Sequence, residues 1–169
     1  MPPDTVAALY DAHAPALYRF LLSLSGSEAD THDLLQDLFI KLVRQPHVIL
    51  KDPEAYLFRA ARNGYTDLIR RTSRRAGALS AYEKHLDPPD IHPLLPPDAP
   101  SHPQGIAQAL ADLPEVQRAI VHLKFWENLT FSRIAEILGI PANTAASRYR
   151  YAMEHLRKFL TQPTNPHAS

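Results

Sequence analysis

The chain has 169 residues, of which 45% are hydrophobic, and 18 Lys/Arg balance 18 Asp/Glu to a formal net charge of zero. That is an ordinary globular composition. The absence of cysteine excludes disulfides and thiolate metal sites. No apolar run approaches the roughly 18 residues of a membrane span, and M-P-P-D-T at the start lacks a basic stretch followed by an apolar one. A soluble cytoplasmic protein with no membrane insertion is expected.

Residues 5–24 carry a helical stripe through Leu9, Tyr10, Leu17, Phe20, Leu21 and Leu24, with Pro15 expected to kink or split it. S-G-S-E at 25–28 interrupts the pattern. From Thr31 to Arg44 the apolar pairs Leu34/Leu35, Leu38/Phe39 and Leu42/Val43 mark a second helix. Its opposite face reads Asp33, Gln36, Asp37, Ile40, Lys41 and Arg44, acidic first and basic last, an order that suits the helix dipole. A loop follows over 45–52, and Pro53 opens a third helix reaching about Arg71. Tyr56, Leu57, Ala60, Ala61, Leu68 and Ile69 are its expected buried side. Arg59, Arg62, Asn63, Thr66 and Arg70, continued by Arg71, Arg74 and Arg75 and with Tyr65 nearby, make a basic surface. Gly64, in mid-helix, is either tolerated or placed to permit close approach.

Residues 76–105 hold seven of the 16 prolines and a net charge of −3, which reads as a linker. At about 3.1 Å per residue its extended length is roughly 90 Å, between two and three turns of duplex. The flanking blocks are mildly basic, +1 for 1–75 and +2 for 106–169. That is weak for tight unaided binding to DNA, where affinity rests largely on neutralising phosphates.

The second block opens with Ile106, Leu110 and Leu113, then Pro114 and a helix with Val116, Ile120, Leu123, Phe125 and Trp126 for its core. Phe131, Ile134, Ala135, Ile137 and Leu138 form the next stripe, with Thr130 as its cap and Gly139 supplying a positive φ at its exit. After Pro141, Ala145, Tyr149, Ala152 and Leu156 step by four, three and four, while Asn143, Thr144, Ser147, Arg148 and Arg150 are expected on the other face of the helix. Helix, glycine turn and helix with a polar, basic face make a helix-turn-helix whose second helix can enter a major groove. Asn and Arg suit the edges of adenine and guanine, and hydroxyls suit base or phosphate. Residues 161–169 read as a frayed tail.

Four stretches together resemble the bacterial sigma-70 factors of the extracytoplasmic-function (ECF) type. D-L-L-Q-D-L-F-I-K-L (33–42) and P-E-A-Y-L-F-R-A-A-R-N-G-Y-T-D-L-I-R-R (53–71) look like sigma region 2. L-A-D-L-P-E-V-Q-R (110–118) and L-T-F-S-R-I-A-E-I-L-G-I-P-A-N-T-A-A-S-R (129–148) look like region 4. The resemblance implies an all-α fold of two small helical domains, region 2 over 1–75 and region 4 over 106–160. It also implies a promoter-specificity subunit that binds core RNA polymerase, recognises −35 and −10 promoter elements and helps melt DNA. Asp33, Gln36, Asp37, Ile40 and Lys41 would dock on the clamp helices of the polymerase largest subunit. The 45–52 loop, with His47, would hold a flipped base, while Arg59, Arg62, Asn63, Tyr65 and Arg70 would track the melted strand of the −10 element. Asn143, Thr144, Ser147, Arg148 and Arg150 would read the −35 element. An anti-sigma factor is an implied partner. The sequence departs from the family pattern at Ala145, Ala146 and Tyr149; a missing cation at 146 predicts weaker phosphate contact, and Tyr149 would fill the volume left by Ala145.

The rival readings are a free-standing helix-turn-helix regulator of a duplex operator and a protein-binding module without DNA function. No enzyme, metal or cofactor is expected. The nine histidines are scattered without ligand spacing, and the five glycines form no phosphate loop.

Overall fold

The computed structural model describes residues 2–45, 50–78 and 103–161. Among them the regular structure is all α-helix: α1 (Pro3–Ser25), α2 (Glu28–Val43), α3 (Pro53–Ala78), α4 (Pro103–Ala111), α5 (Glu115–Phe125), α6 (Phe131–Leu138) and α7 (Ala142–Thr161). The first three helices form one compact unit and the last four another. α3 and α4 extend a few residues into either end of the expected 76–105 linker, and residues 79–102 lie outside the described residues.

In the first unit each helix packs on the other two. Leu17, Phe20, Leu21 and Leu24 of α1 meet Leu38 and Leu42 of α2 and Leu57, Phe58 and Ala61 of α3 in the buried interior. Phe20 and Phe58 meet edge to face, ring centres 5.3 Å apart, a favoured aromatic geometry. α1 is not split at Pro15. The proline removes the rung to the Asp11 carbonyl, but both residues are exposed, so water can satisfy that oxygen. The buried stripe passes the proline through Val6, Ala14 and Leu17. Tyr10 is not part of it: 48% exposed, it rests edge-on against Phe39 at 4.9 Å.

The S-G-S-E interruption is a helix junction. Gly26, at φ 65°, ends α1 with its N–H donating to Leu22 O. Ser27 then caps α2, its hydroxyl accepting from Asp30 N at 3.2 Å. Thr31, fully buried, hydrogen-bonds through its hydroxyl to that of Ser25 at 3.0 Å. The helix therefore starts three residues earlier than hydrophobic periodicity alone places it. Asp52 caps α3 through a bond from Ala55 N at 3.1 Å.

The buried side of α3 is Ala55, Leu57, Phe58, Ala61 and Tyr65. Ile69, expected inside, is exposed, as is every residue from there to Arg75. From Ile69 to Arg75, α3 thus lies in solvent on all sides. Val43, at the end of α2, is likewise exposed.

In the second unit α7 packs on α4, α5 and α6. Ala109, Leu113, Val121, Ala152 and Leu156 form a buried cluster with Trp126, Tyr149 and Met153 at its edge. Thr130 caps α6 by accepting from Arg133 N at 3.2 Å, and Gly139 closes it at φ 65°, as the sequence indicates. The α5–α6 turn uses Asn128 at φ 51°, a conformation asparagine tolerates, and Leu129 N donates to Leu123 O at 3.0 Å. Phe125 is 59% exposed rather than core. The turn directs it outward, while Trp126 stacks on the buried ring of His122 at 5.2 Å.

Candidate nucleic-acid and partner interfaces

α7 is the second helix of the helix-turn-helix. Ala145, Ala152 and Leu156 anchor it inward, so its outward direction is set. Asn143, Ser147 and Arg150, spaced four and three apart, share the outward row, and Asn143 and Arg150 are exposed. Thr144 and Arg148, one turn apart and both half-buried, form a neighbouring row. The structure thus divides the five sequence-selected residues between two rows. The Ser147 hydroxyl donates to Thr144 O at 3.1 Å, a local bond that leaves its lone pairs as the acceptor toward a ligand. Tyr149 packs on Phe131, ring centres 5.5 Å apart, beside fully buried Ala145.

The sequence reading missed Tyr151. It is 58% exposed, and the Arg150 guanidinium carbon lies 5.8 Å from its ring centre, within cation–π range. Glu154, one turn beyond Arg150, pairs with Lys158 at 3.0 Å. The hydrogen bond and charge of Lys158, with weaker contributions from Arg157 and Arg150, hold the Glu154 carboxyl below its ordinary range. The signal available in sequence was an aromatic residue off the four-three stripe of Ala145, Tyr149, Ala152 and Leu156.

On α3, Arg59, Asn63 and Arg70 are exposed and Arg62 is half-buried. Thr66 turns its hydroxyl to Arg62 O at 3.0 Å. Arg70 lies 3.8 Å from Asp67 with both side chains well exposed, a contact worth little in water. Tyr65 departs from expectation. Only 8% exposed, it belongs to the α1–α3 core rather than to the basic surface, because the Leu57, Phe58, Ala61 stripe continues at i+4 to position 65. His47 lies outside the described residues.

Asp33, Gln36, Asp37, Ile40 and Lys41 are all exposed along α2. They form a ridge between two grooves. Asp33, Asp37 and Lys41 face the α2–α3 groove, whose rim also carries Asp30, Asp67 and Arg71 and whose wall includes Gly64. Gln36 and Ile40 face a shallower groove toward α1 with Tyr10, His32, Val43 and Arg44. One side is mainly acidic, and the other exposes Tyr10, Ile40 and Val43 together. A contiguous apolar surface rimmed by polar groups is the usual mark of a protein contact. Ile40 was legible alone; Tyr10 and Val43 join it only in the folded unit.

Residues 9–75 match the family model for sigma-70 region 2, and residues 109–158 match that for sigma-70 region 4. The ECF RNA polymerase sigma factor SigL of Mycobacterium tuberculosis is 32% identical over 158 residues, covering 92% of this chain and 88% of that protein. The ECF RNA polymerase sigma factor RpoE of Cereibacter sphaeroides is 26% identical over 92% of this chain and 86% of its own length. Among solved structures, the sigma factor RpoE of Bartonella quintana, in complex with the anti-sigma factor NepR, superposes with a TM-score of 0.71. It is 26% identical, with 86% of this chain and 90% of that one covered. No helix of the described residues is long and apolar enough to cross a membrane. With both family regions in order, and a relative of this identity spanning nearly the whole chain, the protein belongs to the sigma-70 family, in its extracytoplasmic-function group.

Proposed function

We propose that three faces divide the work of this promoter-specificity subunit. The α2 ridge, Asp33, Gln36, Asp37, Ile40 and Lys41, with Tyr10 and Val43 added from the fold, docks on core RNA polymerase at the clamp helices of its largest subunit. The basic face of α3, Arg59, Arg62, Asn63 and Arg70, follows the melted strand of the −10 element, with His47 in the adjoining loop. The outward row of α7, Asn143, Ser147 and Arg150, flanked by Thr144 and Arg148, engages the −35 duplex. The division into 1–75, 76–105 and 106–160 supplies the joint between the two DNA-facing parts. The observation that carries this reading is the pairing, in one chain, of a recognition-type helix with an exposed polar outer row and a separate exposed basic helix. Neutral overall charge fits it, since polymerase supplies much of the grip on DNA. The protein acts in the cytoplasm, performs no catalysis of its own, and takes an anti-sigma factor as a further partner, the class of protein bound to the Bartonella relative.

The test is to mix the full chain with bacterial core RNA polymerase. Co-elution on size exclusion, with promoter-dependent transcripts absent from core alone, is expected. Failure to co-elute, with salt-sensitive duplex binding by the free chain, would replace this reading with a free-standing regulator.

A further inference from the structure

An arginine on an exposed helix face samples many rotamers, and ordering it on binding subtracts from affinity. Arg150 is exposed, yet its guanidinium lies 5.8 Å from the centre of the Tyr151 ring. The ring is 58% exposed, so burial in the core does not account for its place. The competing partner for Arg150 is Glu154, at i+4, the spacing at which helix ion pairs form. That carboxylate is instead engaged by Lys158 at 3.0 Å. Arg150 still adds to the positive charge around Glu154, but the close contact that carboxylate makes is with Lys158, and the ring of Tyr151 is the group beside the guanidinium. Arg150 lies two turns beyond Asn143, roughly 10 Å along the axis. In this docking mode the first residues of the recognition helix meet base edges, which leaves a residue this far along to the backbone. A guanidinium held near a ring face by cation–π attraction still has N–H groups free to take a phosphate bidentately.

We propose that Tyr151 is a positioning residue that holds Arg150 ready for a phosphate of the upstream promoter duplex. This rests on α7 being the recognition helix.

The test uses holoenzyme reconstituted from the full chain and the fragment it transcribes most strongly from a library randomised in the upstream duplex. Affinity is measured across a range of salt concentrations for wild type, Tyr151→Ala, Tyr151→Phe, Arg150→Ala and the double variant. Tyr151→Ala should weaken binding about two- to fivefold, while Tyr151→Phe, which keeps the ring, should bind as wild type. The salt slope should be unchanged in Tyr151→Ala, because the cation is still delivered, and should fall by about one in Arg150→Ala. In the Arg150→Ala background the Tyr151→Ala loss should vanish. A loss that persists without Arg150, or a Tyr151→Phe variant as weak as Tyr151→Ala, overturns the inference alone. A wild-type holoenzyme indifferent to upstream sequence overturns the recognition-helix reading, and this inference with it. Both side chains are exposed, so the variants should melt with wild type.

Discussion

Replacing Gly64 with alanine tests the packing of α3 and the use of the groove beside it at once. Glycine inside a helix costs about 1 kcal/mol relative to alanine. A Cβ built at Gly64 would have its nearest neighbour in Leu34 Cδ2, at 3.5 Å, an ordinary van der Waals contact. Nothing has to move, so the full propensity gain of about 1 kcal/mol should appear as stability. For a unit of this size that corresponds to roughly 4–8 °C in the melting midpoint. The single tryptophan, Trp126, lies in the second unit, so its fluorescence follows that unit, and far-UV circular dichroism follows both. Gly64→Ala should raise a dichroism transition while the fluorescence transition stays in place. A lowered midpoint would refute the reasoning, because it would mean that α2 and α3 approach more closely than the methyl allows. Gly64 also lines the groove that Asp33 and Asp37 face. A partner side chain seated deep there would meet the new methyl, so a more stable variant with weaker polymerase binding would locate the docking surface in that groove. Unchanged binding would confine docking to the ridge and to the apolar side.

Asp37→Lys reverses a charge on an exposed rim, so the fold should persist while affinity for core polymerase falls about tenfold or more; normal holoenzyme formation in a titration would remove Asp37 from the docking face. Tyr65→Ala should cost about 3–5 kcal/mol, as for a large buried aromatic, and Tyr65→Phe far less. If chemical denaturation instead left Tyr65→Ala at wild-type stability while promoter opening suffered, the ring would belong to the DNA face after all. Thr130→Ala removes the cap of α6 and should destabilise the second unit by about 1 kcal/mol, read from Trp126 fluorescence; an unmoved transition would show that tertiary packing alone holds that helix end.

Features that depend on neighbours along the chain could be read from the residues alone. The helix-turn-helix was legible because Thr130, Gly139 and the Ala145, Tyr149, Ala152, Leu156 spacing act locally: a cap, a left-handed turn and one stripe per helix suffice. The family and the all-α architecture followed from the order of such local signals. The α2 ridge was legible too, since a stripe of buried leucines also marks the face opposite. Which apolar residues find a partner to cover them was visible only once the helices were packed together. The apolar letters read as core at Ile69, Val43, Tyr10 and Phe125 are exposed: Ile69 begins an exposed stretch that continues to Arg75, Val43 lies at the end of α2, the turn directs Phe125 outward, and Tyr10 rests edge-on against Phe39 with much of its ring uncovered. Tyr65 went the other way, since periodicity allows either flank of a stripe and only the packing of α1 and α2 on α3 chose. The division of the α2 residues between an acidic and an apolar groove, and the seating of Arg150 over Tyr151, were decided by folding alone. Burial is a property of surfaces brought together from distant parts of the chain, and a periodic pattern specifies a direction without specifying what, if anything, lies in that direction.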